Sequence, residues 1–143
     1  MSNIFCDLDG VLADFDAHAD ALFGRERREW SPSRFWRAVE RHGEFFATMP
    51  WLPEGRTLWR AIGGHATILT ALPRTDQEKV RAQKVAWCQR ELGPFVPVIC
   101  VGPDQDKSEW CVPGALLIDD RERNCARWRA AGGVALHFGR GSE

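Results

Sequence analysis

Two pairs of carboxylates dominate the chemistry available to this chain. Asp7 and Asp9 stand two residues apart at the end of the apolar run Ile4-Phe5-Cys6, with Gly10 directly after them. Asp119 and Asp120 close a second apolar run, Ala115-Leu116-Leu117-Ile118. Successive strand side chains alternate between faces, so Asp7 and Asp9 share a face if the strand continues. Gly10 lets the chain bend instead, because glycine accepts positive φ without penalty. Acids converging at strand tips repel one another unless a cation lies between them. A hard divalent ion such as Mg²⁺, which prefers oxygen ligands and keeps waters for a substrate phosphate, meets that need. With the phosphate charge neutralised in this way, Asp7 can attack phosphorus to give an aspartyl-phosphate. Asp9 would protonate the departing alkoxide and then activate the water that cleaves the intermediate. Thr70, the backbone N–H groups after Asp7 and a lysine would hold the phosphoryl oxygens.

Positioning these groups falls to strands. Five apolar runs (residues 3–7, 65–70, 95–101, 115–119 and 134–138) alternate with helical stretches, which predicts a parallel sheet with helices on its faces. Thr75-Asp76-Gln77-Glu78 has the form of a capping box opening a helix through Leu92, closed by Gly93-Pro94. Residues 124–131 read as another helix, stopped by Gly132-Gly133. The interval 13–64 is too long for one crossover. It holds at least two helical pieces, with Ser31-Pro32 as an N-cap and first-turn pair. It also concentrates aromatics, among them Phe15, Phe35, Trp36, Phe46, Trp30, Trp51 and Trp59. Such an insertion, emerging just past Asp7, is placed to cover whatever binds there. Ligands in sheets of this kind bind outside the carboxyl ends of the strands, where Asp7, Asp9, Thr70, Asp119 and Asp120 all fall.

The chain has 143 residues and a formal charge of −1, with a pI near 6.4. One domain over 1–143 is expected, with a core at 1–12 and 65–143 and a helical cap at 13–64. Near-neutral charge implies no general attraction to nucleic acid or anionic membrane. The first strand begins too early to leave room for a signal peptide, and no apolar run approaches a membrane span. Cys6, Cys88, Cys100, Cys111 and Cys125 lack CxxC spacing and fit reduced thiols. A cytoplasmic protein is therefore expected. His18, His42, His65 and His137 show no catalytic or metal-binding spacing, and Cys6 is expected to be buried and inert.

In order and spacing, Asp7-Leu8-Asp9-Gly10-Val11-Leu12, a strand ending in Thr70, a later lysine and Ile118-Asp119-Asp120 resemble the haloacid dehalogenase (HAD) superfamily of phosphohydrolases. The chain is most similar to its 5′(3′)-deoxyribonucleotidase branch. Phe35-Trp36, Phe45-Phe46, Pro50, Leu52-Pro53, Lys84-Val85-Ala86-Trp87, Leu92-Gly93-Pro94 and Asp106-Lys107-Ser108 extend the likeness over residues 3–121. The resemblance implies an α/β, HAD-like three-layer Rossmannoid sandwich, with a five-stranded parallel sheet and a small helical cap after strand 1. It implies Asp7 as nucleophile, Asp9 as acid/base, Thr70 as phosphate-binding hydroxyl and Lys107 as the stabilising lysine, with Lys84 a second phosphate-side lysine. Mg²⁺ would be held by Asp7, the Asp9 carbonyl, Asp119 and Asp120, with Asp120 favoured as the direct ligand of the last pair. Phe15, Phe35, Trp36 and Phe46 would surround a nucleobase. Ala71 and Gln105 stand where that branch carries a second hydroxyl and an arginine.

The expected activity is Mg²⁺-dependent dephosphorylation of a nucleoside monophosphate, probed by a small-molecule substrate rather than a polymer or membrane, with homodimerisation left open. Three alternatives stay in view. A phosphatase for another small phosphomonoester would use the aromatics only for packing. A non-catalytic binding protein would be expected to have lost Asp7 or Asp9. A polynucleotide end-phosphatase would want a basic track, whereas Arg25, Arg27 and Arg28, interleaved with Glu26 and Glu29, read as a solvated helix face.

Overall fold

The computed structural model describes residues 3–139; the first two and last four residues of the expected 1–143 domain lie outside the described residues. The strands are β1 (Ile4–Cys6), β2 (Ala66–Ala71), β3 (Val98–Val101), β4 (Leu116–Asp119) and β5 (Val134–His137). They form one parallel sheet in the order β3-β2-β1-β4-β5. β1 pairs with β2 through Ile4–Ala66 and with β4 through Ile4–Leu116. That register brings the carboxyl ends of β1 and β4 level, so Asp7 and Asp119 emerge side by side. The fold class is α/β, as expected.

Five α-helices accompany the sheet: α1 (Phe15–Phe23), α2 (Pro32–His42), α3 (Pro53–Ile62), α4 (Gln77–Glu91) and α5 (Glu122–Ala130). The first three lie between β1 and β2 in the chain. α2 opens as expected, with the Ser31 hydroxyl accepting from the Arg34 N–H and Pro32 at its first position. α4 does not open through the expected capping box. Asp76 is its N-cap with φ 57°, and no side chain caps it. Aspartate tolerates that left-handed conformation, which starts the helix two residues after Thr75. β3 begins at Val98 rather than residue 95, because Pro94 and Pro97 lack donors for the ladder. α5 begins at Glu122, two residues before its expected start, directly behind the Asp119-Asp120 pair.

Helix α4 clamps the segment 43–49 with side chains on one face. Gln83 accepts from the Phe46 and Ala47 N–H groups through Oε1 at 2.9 and 3.3 Å, and donates to the Gly43 carbonyl at 2.9 Å. Trp87 donates to the Met49 carbonyl at 2.8 Å and Arg90 to the Ala47 carbonyl at 2.8 Å. Residues 83, 87 and 90 follow helical spacing, so one stripe fixes the turn that carries Phe45 and Phe46. Trp30, Trp51 and Trp59 pack. Trp30 faces Phe23, and Trp51 lies 5.2 Å from Trp87 while donating to Glu91. Trp59 joins the edge of the main apolar cluster.

Candidate active site

After β1 the chain winds tightly around the Leu8 carbonyl, which accepts from the Val11, Leu12 and Ala13 N–H groups. Gly10 makes this path passable. Its φ is 85°, and a Cβ there would collide with the Asp120 carboxylate. Asp7 and Asp120 are thereby held across a narrow gap.

Lys107 sits at the centre. Its ammonium donates to Asp7 Oδ1 at 2.9 Å and to Asp119 Oδ2 at 2.8 Å. Asp106 caps the short turn that carries it, accepting from the Ser108 N–H while Glu109 accepts from the Asp106 N–H. Burial works against the charge on Lys107, but the two carboxylates outweigh it and hold the ammonium above its usual range. Asp7 Oδ1 also accepts from the Leu8 N–H at 2.8 Å. Asp119 Oδ1 accepts from the Arg121 N–H at 2.9 Å, and the Asn124 amide donates to both Asp119 oxygens at 3.3 Å. His137 donates through Nε2 to the Asp120 carbonyl at 2.9 Å, steadying the loop behind the pair.

Asp7, Asp119 and Asp120 each offer a carboxylate oxygen within 4.8 Å of the others, and all three are buried. Asp120 Oδ1 is buried without a hydrogen-bond partner. Burial, with the neighbouring Asp7 next, pushes the Asp120 carboxyl up to about 9, and burial raises Asp119 in the same direction. An orphaned carboxylate oxygen, an all-oxygen donor set and a single ammonium against three acids fit a hard divalent cation such as Mg²⁺. Asp119 already spends both oxygens on Lys107, Arg121 and Asn124, so Asp120 has the freer donor. The Asp9 side chain stands apart from this trio.

Asp9 is instead gripped by Lys84, which donates to Asp9 Oδ2 at 2.9 Å, to Thr70 Oγ1 at 2.9 Å and to the Ala71 carbonyl at 2.7 Å. An ammonium has three protons, and all three are committed. The sequence reading of Lys84 as a phosphate ligand thus meets a lysine that orients Asp9 and Thr70 from behind, 5.0 Å beneath the Phe46 ring. Because Thr70 accepts from Lys84, its own hydroxyl proton remains available to an incoming oxyanion. Cys6, fully buried beside Asp7, has its thiol pushed far up by burial and by that carboxylate, which makes it inert.

A cavity of about 590 Å³ opens over these groups. Asp7, Asp9, Thr70, Lys84, Lys107 and Asp120 line its floor, and Phe15, Trp36 and Phe46 form one wall. Trp36 and Phe46 lie near-parallel, 17° apart with centroids at 6.3 Å. Phe35 does not line it. Its ring packs among Phe15, Phe23 and Phe45, with the Arg27 guanidinium 5.7 Å above. The family resemblance placed Phe35 and Trp36 together, but adjacent helix residues point about 100° apart and only Trp36 faces the cavity. Ala71 and Gln105 both line the cavity, and Gln105 turns back to accept from the Gly102 N–H at 2.8 Å.

Arg27 corrects a second expectation. It is not part of a solvated face. Its guanidinium donates to Asp20 at 2.9 Å and to Asp16 at 3.2 Å, with its side chain only 11% exposed, and it lines the cavity. Asn124, Arg74, Arg121, Arg123 and Arg127 also line it and were not anticipated. Only Asn124 left a readable trace, as a polar side chain one helical turn beyond an acidic pair.

The fold is that of haloacid dehalogenase-like hydrolases: a five-stranded parallel sheet flanked by helices. Several solved structures share this fold. A haloacid dehalogenase-like family hydrolase from Streptococcus pneumoniae superposes with a TM-score of 0.59 at 16% identity, covering 98% of this chain and 86% of that one. A hydrolase from Streptococcus pneumoniae TIGR4 superposes with a TM-score of 0.54 at 15% identity, covering 96% of this chain and 92% of that one. The sequence matches no protein-family model and no curated protein.

Proposed function

We propose that the protein is a Mg²⁺-dependent phosphomonoesterase that dephosphorylates a nucleoside monophosphate through an aspartyl-phosphate on Asp7. The observation that carries this reading is the setting of Asp7. Its Oδ1 is pinned by Lys107 and the Leu8 N–H, which leaves Oδ2 as the nucleophilic oxygen at the cavity floor. When bound, Mg²⁺ supplies charge neutralisation between carboxylate and phosphoryl oxygens, and Asp7, Asp119 and Asp120 would hold it.

The chain's own residues account for the rest. Lys107 holds Asp7 through Oδ1 and adds charge where the phosphoryl oxygens gather. The Thr70 hydroxyl donates to one of those oxygens. Asp9, held through Oδ2 by Lys84, has Oδ1 buried and unpartnered, and this oxygen gives the leaving alkoxide its proton and later takes one from water. The wall of Phe15, Trp36 and Phe46 supports a nucleobase by stacking. In single-strand binders that is worth about 1–3 kcal/mol per base. Trp30 and Trp51 do not line the cavity, so neither obstructs it.

The test is phosphate release from nucleoside monophosphates and sugar phosphates, with Mg²⁺ or EDTA, for the native chain and Asp7→Asn. Metal-dependent release that favours deoxynucleotides and falls by at least about a thousandfold in the folded variant is expected. Release from sugar phosphates alone would return the aromatic wall to packing. No release from any phosphomonoester would refute the phosphatase reading.

A further inference from the structure

We propose that the cavity mouth carries a second anion subsite, built by Arg121 and Arg123. It takes a phosphate or carboxylate that the substrate bears in addition to the phosphoryl group meeting Asp7. This deepens the phosphomonoesterase reading and rests on it for the identity of the substrate.

The cations of the cavity are distributed unevenly. At the floor, Lys84 has spent all three protons and Lys107 is shared between Asp7 and Asp119. On the cap side, Arg27 is neutralised by Asp16 and Asp20. On the core side, Arg74 pairs with Asp104 at 2.9 Å and Arg127 with Asp106 at 2.6 Å. Arg121 and Arg123 differ from all of these. Among the described residues neither guanidinium has a carboxylate within ion-pair distance. Glu122, between them in sequence, sends its carboxylate elsewhere, to Arg129 at 3.3 Å and His137 at 3.4 Å. The chain as a whole is slightly acidic, so this is a local arrangement.

Both arginines line the same cavity as Asp7, yet they are exposed where Asp7, Thr70 and Lys107 are buried. They therefore stand at the mouth, where the leaving group's far end lies once its phosphoryl group is on the floor. Uncompensated positive charge along a cleft draws in anions. A guanidinium fork matches phosphate and carboxylate geometry with paired N–H donors. The class of substrate that answers both ends is a doubly anionic phosphomonoester, such as a nucleoside 3′,5′-bisphosphate or a phosphorylated carboxylic acid.

The measurement compares kcat/KM for a nucleoside 5′-monophosphate with that for its 3′,5′-bisphosphate, and for glycerol 3-phosphate with that for 3-phosphoglycerate. The doubly anionic member should lead by about tenfold or more, mainly through KM. In the double variant R121A/R123A the ratio should collapse toward one, and R121K/R123K should recover part of it. Preference for the bisphosphate alone assigns the subsite to phosphate, and preference in both pairs assigns it to any anion. Equal kcat/KM within each pair in the native chain, or a ratio unmoved by R121A/R123A, overturns the proposal. Calorimetric titration of the Asp7→Asn protein with the monophosphate and bisphosphate reads the same preference without turnover. A chain that releases no phosphate but binds the bisphosphate more tightly through Arg121 and Arg123 would refute the phosphatase reading while keeping the subsite.

Discussion

Lys107 is buried between Asp7 and Asp119, a single ammonium facing a trio of carboxylates. Removing one member of a buried ionic group leaves the others uncompensated, which costs about 3–5 kcal/mol. Lys107→Met should therefore lower the thermal midpoint strongly in EDTA, and Mg²⁺ should raise the midpoint more in the variant than in the native chain. Equal Mg²⁺ responses in calorimetry would show that the lysine does not balance these acids. At this scale most of the site was legible. Asp-x-Asp before glycine, a terminal strand threonine, a lysine and an acidic pair name a chemistry by residue type. What could not be read was the state of each side chain. Lys84 carries the right charge for a phosphate ligand, but its three protons go to Asp9, Thr70 and Ala71, partners 75, 14 and 13 residues away.

Among the elements, α3 approaches the core backbone to backbone. A Cβ on Gly55 would meet the Val11 carbonyl and lie 2.7 Å from Leu12 Cα. Gly55→Ala must push α3 away from the loop that follows Asp7, at a cost of about 1–3 kcal/mol. Urea denaturation should show a reduced midpoint, and an unchanged midpoint would mean that α3 shifts without cost. The five strands were readable because each is a short apolar run between turn residues, and their register follows from pairing. Element starts were less readable. The capping-box residues before α4 are present, but Asp76 takes a left-handed backbone and the helix begins beyond them.

Acid sensitivity belongs to the molecule as a whole, because the groups involved join distant segments. The ring of His18 in α1 donates through Nε2 to the Phe45 carbonyl at 3.0 Å, with the His42 ring 6.5 Å away. Burial lowers the His18 pKa below 6.5 and the neighbouring His42 adds to it, against the Phe45 carbonyl, which favours the protonated ring. The unfolded chain takes up this proton near pH 6.5, and the folded chain only at lower pH. The stability contribution is thus complete above about pH 6.5 and lost as the pH falls through the folded value. The ring is partly exposed, so solvent screening keeps the effect small. His18→Gln should flatten the acid side of a thermal-midpoint-against-pH curve below about pH 6.5. A curve that keeps its native slope would assign acid sensitivity to other groups.

By itself, the sequence determined the α/β class, the five strands and the residue types of the floor, because these depend on local periodicity and on chemistry carried by single side chains. Only the tertiary structure decided which cations remain free. Phe35 turned inward while Trp36 faced the cavity, Arg27 was neutralised by Asp16 and Asp20, and Arg121 and Arg123 were left without counter-ions among the described residues. The physical reason is that a charge is used or free according to what stands within a few ångströms of it, and here those neighbours come from separate segments of the chain.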